Sequence, residues 1–267
     1  MENVNKTLYI PLYGKAYVSQ KGIILRDEKA EQIWTAEAFA LKGKSKSKWL
    51  AYYMGMRSAV FDRWLAEQME EMPEATVLHI GCGMDSRVLR VGERNHLWFD
   101  VDFPEVIKQR RWYFEEGPHY KMISGDLREK EWLEAIPGSK VIAVLEGVSM
   151  YVTRSQLKAA FENLYGRFED VRILMDCYTQ FAAKASKYKN PINDVGVTQV
   201  YGLDDPGLLP GYLQEHEMTP DDLIDQLSGM EKGIFRSVFA GGIAKKMYRL
   251  YEFRGGKRSC FMQKTTP

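Results

Sequence analysis

Between residues 75 and 176 short β-branched runs alternate with helical patterns, and this alternation constrains the fold more than any other feature of the chain. Thr76-Val77-Leu78-His79-Ile80 reads as a buried strand and Leu97 to Val101 as a second. Lys121 to Ile123 is a weaker third, Val141 to Leu145 a fourth and Val171 to Met175 a fifth. Helical segments fall between them. Thr153-Arg154-Ser155-Gln156 has the capping-box pattern and opens a helix that runs to about Phe168. Strands alternating with helices imply an α/β fold, a mostly parallel sheet covered on both faces.

The flanks read differently. Residues 1–72 are helical in pattern. Arg26-Asp27-Glu28-Lys29-Ala30 opens one helix, and Gly43 to Lys48 forms a basic, Ser/Lys-rich break. A long helix then runs from about Trp49 to Met72, with Tyr53, Val60, Phe61, Trp64 and Leu65 at helical spacing and Pro73 ending it. Beyond residue 176 the pattern loosens. Residues 190–218 hold Asn190-Pro191, Asp205-Pro206-Gly207 and Leu209-Pro210-Gly211, a long loop region expected to be a lid or a wall of the binding site and not a linker. Thr219-Pro220-Asp221-Asp222 starts a short helix, with Thr at the N-cap and Pro at N1. Gly233 to Phe239 and Met247 to Phe253 are the last strand candidates.

Bulk properties exclude several function classes. The 37 lysines and arginines nearly cancel the 36 aspartates and glutamates, so nucleic acid or an anionic membrane is not the expected partner. Cys82, Cys177 and Cys260 are odd in number and far apart. That argues against a disulfide framework and against a cysteine metal site, and fits a reducing cytoplasm. No signal peptide or membrane-spanning run is evident.

The chemistry is expected where the strands end. His79-Ile80-Gly81-Cys82-Gly83-Met84-Asp85-Ser86 is a strand running through Gly-x-Gly into a helix, which lets backbone approach a ligand. Dinucleotide and S-adenosylmethionine sites both use this turn. Ser86 stands where the dinucleotide pattern has its third glycine, which disfavours NAD. Asp102 ends the second strand, nineteen residues beyond Gly83, where an acid accepts hydrogen bonds from ribose hydroxyls; Asp100 competes for that role. Asp126, just past the third strand, suits an adenine amine, with Leu127 against the ring. Glu146 follows the fourth strand and faces the ligand crevice of an open sheet.

Together these segments resemble the leucine carboxyl methyltransferase family and its bacterial branch, the polyketide O-methyltransferases of the tetracenomycin type. The matching pieces are Gly81-Cys82-Gly83-Met84-Asp85-Ser86-Arg87, Val101-Asp102-Phe103-Pro104-Glu105-Val106-Ile107, Gly125-Asp126-Leu127-Arg128 and Glu146-Gly147-Val148-Ser149-Met150-Tyr151. The Asp-Phe-Pro segment followed by Arg110 or Arg111 is the most specific of them. The resemblance implies a class I methyltransferase: a Rossmann-like, mostly parallel seven-stranded sheet with an antiparallel last strand. It makes residues 1–72 an N-terminal helical lid and 73–267 the S-adenosylmethionine-binding core, with 177–230 as an acceptor-site insertion. It also implies that Arg57 binds the methionyl carboxylate of the cofactor and that Lys15 belongs to the lid. Read from its position alone, Arg57 sits on an apolar helical face and needs an anion.

The resemblance points to O-methylation of a carboxylate, or of a phenol, on a small polyketide-like acceptor; no metal is expected, and the sequence leaves monomer or homodimer open. A carboxylate needs no base. A phenol would need one, from His216 or from Tyr151, Tyr178 or Tyr201. Arg57 and Tyr151 are the residues expected nearest the reaction. Cys82 and His79 are expected to be spectators. Two other readings stand beside this one: a catalytically silent S-adenosylmethionine binder, and a nucleotide-dependent oxidoreductase that would leave Asp126-Leu127 unexplained.

Overall fold

The computed structural model describes residues 7–41, 43–189, 199–242 and 246–257; Asn190-Pro191 and Cys260 lie outside them. Helices α1 (Tyr9–Gln20), α2 (Glu28–Glu37) and α3 (Lys48–Glu71) come first, with a 3-10 turn at Gly43–Lys46 before α3. The alternating part follows as β1 (Thr76–Ile80), α4 (Arg87–Val91), β2 (Trp98–Asp102), α5 (Pro104–Arg110), β3 (Tyr120–Ser124), β4 (Lys140–Leu145), α6 (Arg154–Arg167) and β5 (Asp170–Tyr178). The C-terminal part holds α7 (Gln180–Lys189), β6 (Tyr212–His216), α8 (Asp221–Ile224), α9 (Gly229–Val238) and β7 (Tyr248–Gly255).

The seven strands form one sheet in the order β3-β2-β1-β4-β5-β7-β6. Strands β1 to β5 pair in parallel, and β7 runs antiparallel to both β5 and β6. This is the class I methyltransferase sheet expected from the sequence. The order reverses between β1 and β4, and an open sheet offers a ligand crevice at such a switch point, beyond the carboxyl ends of its strands.

Alternation along each strand sends side chains to two different cores. Val77, Trp98, Ile142 and Leu174 join one apolar cluster with Tyr52, Phe61 and Trp64 of α3. Leu78, Val101, Ala143 and Ile173 join the other with Leu157, Phe161 and Leu164 of α6. The N-terminal helices therefore cover one face and α6 the other. Gly14 and Gly55 bring α1 and α3 close together: a Cβ on Gly55 would lie 2.8 Å from Val18, and one on Gly14 2.6 Å from the Cβ of Met54. At Thr153 both bonds of the expected capping box form.

Two segments depart from the sequence reading. Gly233 to Phe239 is not a strand; it lies in and just after α9, which buries Phe235 and pairs Arg236 with Asp221 and Asp225 of the α8 region. Burial of Phe235 on one helical face, against Tyr52 of α3, outweighed the local β-branched content. Conversely, the loop region 190–218 contributes β6, whose residues are exposed up to Glu215. An edge strand with little to bury carries no alternating pattern. The short α8 begins after Pro220, one residue later than its Thr-Pro start suggested. Among the described residues no helix is long and apolar enough to cross a membrane.

Phe253 of β7 is fully buried and meets Phe161 edge-on at 4.9 Å. Phe253→Ala should destabilise the protein by about 3–5 kcal/mol in urea unfolding, the usual cost of a large core truncation. A loss below about 1 kcal/mol would contradict this placement of β7.

Candidate functional site

The carboxyl ends of β1 to β4 open into a cavity of about 840 Å³, whose other walls come from α1, α3 and the segment around β7. This lies in the upper part of the usual range for small-molecule sites, roughly 300–1,000 Å³. Lys15, Arg57, Gly81, Gly83, Asp102, Asp126, Leu127, Glu146 and Tyr151 all line it. These nine candidates share one cavity, whereas Asp100, Tyr201 and His216 do not line it.

The turn after β1 forms the floor. Gly81 and Gly83 have φ of +69° and +51°, a left-handed backbone that suits glycine. A Cβ on Gly81 would also lie 2.3 Å from Val148. Arg110 fixes the turn from outside: Nη1 donates to the Gly83 carbonyl at 3.0 Å, and Nη2 pairs with Asp100. Asp100 is fully buried, takes further bonds from Tyr120 (2.6 Å) and Trp98 (2.9 Å), and does not line the cavity. Its partners are structural, and of the two acids Asp102 is the one that lines the cavity.

Asp102 faces the cavity and accepts from the backbone N–H groups of Gly83 (2.7 Å) and Phe103 (2.8 Å). Burial raises its pKa to about 6, against the pull of those two donors. Asp126 behaves in the opposite way. Burial works against its charge, but hydrogen bonds from Arg128 hold its pKa below the ordinary value.

Arg57 enters from α3 and is 4% exposed. Its Nε donates to Glu146 at 3.0 Å, and its Nη1 donates to Asp176 at 3.0 Å and to the Tyr248 hydroxyl at 2.8 Å. Arg57 thus pairs with neighbouring acids and also lines the cavity. Nη2 makes no hydrogen bond to a described residue and sits beside Gly147. Glu146 also pairs with Arg87. Burial opposes its charge, yet Arg57 and Arg87 hold its pKa at about 2. Lys15, on α1, lies 3.2 Å from Asp85.

Asp176 and Tyr248 are the participants that the sequence left at the margin. Asp176 stands behind the lining, fully buried, and accepts from the Gly147 N–H at 2.7 Å and from Tyr248. Burial raises its pKa despite Arg57. Its place after a buried strand was the only sequence signal; nothing in the sequence pointed to Tyr248. Tyr53, Tyr151, Tyr178 and Tyr248 line the cavity together. Burial pushes the hydroxyls of Tyr53, Tyr151 and Tyr248 well above their ordinary pKa.

The remaining candidates fall away. His216 lies outside the cavity with Nε2 2.6 Å from Glu252, and Tyr201 also stays outside. Cys82 lines the cavity, but burial raises its thiol well above the ordinary pKa, so it is no nucleophile at neutral pH. His79 is buried, which lowers its pKa, and Nδ1 lies 3.2 Å from Asp100. Of residues 177–230, Tyr178 is the described residue that reaches the lining. Among the described residues no cluster could hold a metal ion.

Comparison with known proteins agrees with this geometry. A family model described as leucine carboxyl methyltransferase matches residues 7–165. The tetracenomycin polyketide synthesis O-methyltransferase of Streptomyces glaucescens is 26% identical over 152 residues, 56% of this chain and 56% of that protein. An S-adenosyl-L-methionine-dependent methyltransferase of Gibberella zeae is 29% identical over 182 residues, 61% of this chain and 60% of that protein. The matches thus span little more than half the length of these curated relatives. Among solved structures, the magnesium protoporphyrin IX methyltransferase of Synechocystis with bound S-adenosylmethionine superposes with a TM-score of 0.50 at 10% identity, covering 96% of this chain and 98% of that one. The same enzyme with S-adenosylhomocysteine also gives a TM-score of 0.50, at 12% identity over 91% and 97% of the two chains. These two likenesses concern the fold.

The environment of Asp102 makes a measurable prediction. A carbon-13 NMR titration of its carboxyl should show a midpoint near 6. A ligand that donates hydrogen bonds to it favours the charged form and should move the midpoint down. By linkage, that ligand should bind more weakly as pH falls through about 6. A midpoint near 4 in the free protein, unmoved by ligand, would contradict this account.

Proposed function

Since the chain belongs to the leucine carboxyl methyltransferase family, we propose that it is an S-adenosylmethionine-dependent O-methyltransferase acting on a carboxylate of a small molecule. The convergence of four strand ends and one buried arginine on a single cavity carries this reading. The cavity suits the cofactor on three counts. Gly81 and Gly83 bring left-handed backbone to the cavity lining, Asp102 faces the cavity with only backbone donors as described hydrogen-bond partners, and Arg57 keeps a terminal nitrogen free of described partners.

In this reading Asp102 accepts the ribose hydroxyls, Asp126 the adenine amine, and Leu127 packs on the ring. Arg57 and Lys15 answer the methionyl carboxylate. Glu146 and Asp176 hold Arg57 in place, so the guanidinium need not reorganise when an anion arrives. S-adenosylmethionine, when bound, supplies an activated methyl group on a sulfonium. The protein is left to align the acceptor oxygen and to exclude water. The apolar wall of Leu50, Met54, Met150 and Phe239 serves the second task.

The tyrosines bear on the choice of acceptor. Burial keeps Tyr53, Tyr151 and Tyr248 protonated at neutral pH, so they donate hydrogen bonds and do not remove protons. With His216 and Tyr201 outside the cavity, Tyr178 is the one remaining base candidate from the sequence that a phenol could meet there. An ionised carboxylate needs none, and Tyr151 can orient it by donating. The acceptor is thus a carboxylic acid, and a reducing cytoplasm suits the two buried, unpaired cysteines Cys82 and Cys177.

Two outcomes are expected. With methyl-deuterated S-adenosylmethionine and a panel of carboxylic acids and phenols, mass spectrometry should find alkali-labile methyl esters. Products confined to alkali-stable ethers would sink the carboxylate reading. Arg57→Ala should weaken cofactor binding at least tenfold, about 1.4 kcal/mol; unchanged affinity in a folded variant would leave Arg57 a structural role only.

A further inference from the structure

The charges that line the cavity pair off almost completely. Lys15 meets Asp85, Arg57 meets Glu146, and Arg128 meets Asp126. Asp102 remains, and the cofactor reading gives it a role. Lys44 remains too. It is an exposed cation of the 3-10 turn before α3, it lines the cavity, and its side chain makes no ion pair or hydrogen bond with a described residue. Its neighbours in the basic break differ: Lys46 and Lys48 do not line the cavity, and Lys48 pairs with Glu231 at 2.8 Å.

The position of Lys44 says what it can reach. Helix α3 forms one wall, with Ser47, Leu50, Tyr53, Met54 and Arg57 on the lining at helical spacing. At a rise of about 1.5 Å per residue, Ser47 stands roughly 15 Å along the helix from Arg57. Trp49 stacks on Phe239 at 5.6 Å, which brings Val238 and Phe239 to the same outer end. The cavity therefore runs from a polar inner end, where Arg57 and Glu146 pair, through an apolar stretch, to Lys44 at its mouth, a cation whose side chain has no partner among the described residues. A cation beside apolar walls attracts an anion more strongly than one in open water.

We propose that Lys44 is a specificity-determining residue. It binds an anionic group on the acceptor that lies remote from the oxygen receiving the methyl group. The acceptor is then an elongated, largely apolar molecule with an acidic group at its outer end. This inference rests on the cofactor reading above, which places the reacting oxygen at the inner end.

The test uses the full-length protein saturated with S-adenosylhomocysteine and two fluorescent probes of similar bulk. One is the anion 8-anilinonaphthalene-1-sulfonate; the other is neutral N-phenyl-1-naphthylamine. Wild type should bind the anion more tightly than the neutral probe, and salt should weaken only the anion. Lys44→Gln should lose at least fivefold in affinity for the anion and nothing for the neutral probe, and Lys44→Arg should restore the anion. Affinity for S-adenosylhomocysteine should be the same in all three proteins. The proposal is overturned if Lys44→Gln binds the anion like wild type, if it loses both probes equally, or if wild type does not bind the anion. Failure of wild type to bind S-adenosylhomocysteine would instead strike the cofactor reading, and this inference with it.

Discussion

A guanidinium buried at the centre of the molecule is the constraint on which the rest depends. Arg57 projects from α3 into a site nearly closed to solvent, and a lone charge there would cost several kcal/mol. Acids from the ends of two different strands answer it: Glu146 after β4 and Asp176 in β5. Glu146 is shared with Arg87 of α4, which pairs also with Asp62 of α3 at 2.7 Å. Arg90 joins Asp62, Asp85 and Asp27, and Asp27 caps α2 through the Ala30 N–H. One ionic network thus ties α2, α3, the turn after β1 and the ends of β4 and β5. Displacing any of these elements would strand a buried charge, so the network holds the N-terminal helices against the sheet and sets the inner end of the cavity.

Much of the fold was legible because the central sheet obeys simple rules. Strands β1, β4 and β5 are buried on both faces, so they read as β-branched runs in the sequence. The capping box at Thr153 was visible because its chemistry is local. Strand β6 was not visible, because an exposed edge leaves no hydrophobic alternation. Helix α9 is not legible locally, because Ile234, Phe235 and Val238 look strand-like until Phe235 is seen buried against Tyr52 of α3.

The same division runs through the site. Gly81, Gly83, Asp102, Asp126 and Glu146 stand at strand ends, where order along the chain already implies a shared crevice. Asp102 and Asp100 could not be separated by sequence. Their difference is one of facing: Asp100 turns to Arg110 and Tyr120, and Asp102 to the cavity. Tyr248 and Asp176 act across the antiparallel pairing of β5 with β7, a contact far apart in sequence. Lys44 sits in a basic break that reads as a solvated loop until α3 is seen as a cavity wall.

Everything proposed here depends on the crevice between β1 and β4 holding S-adenosylmethionine. Calorimetric titration of the purified protein with S-adenosylmethionine, S-adenosylhomocysteine and NADH tests this most directly. The account predicts one site per chain for each sulfur ligand, weakened by Asp102→Ala, and no binding of NADH. Binding of NADH with neither sulfur ligand bound would contradict it.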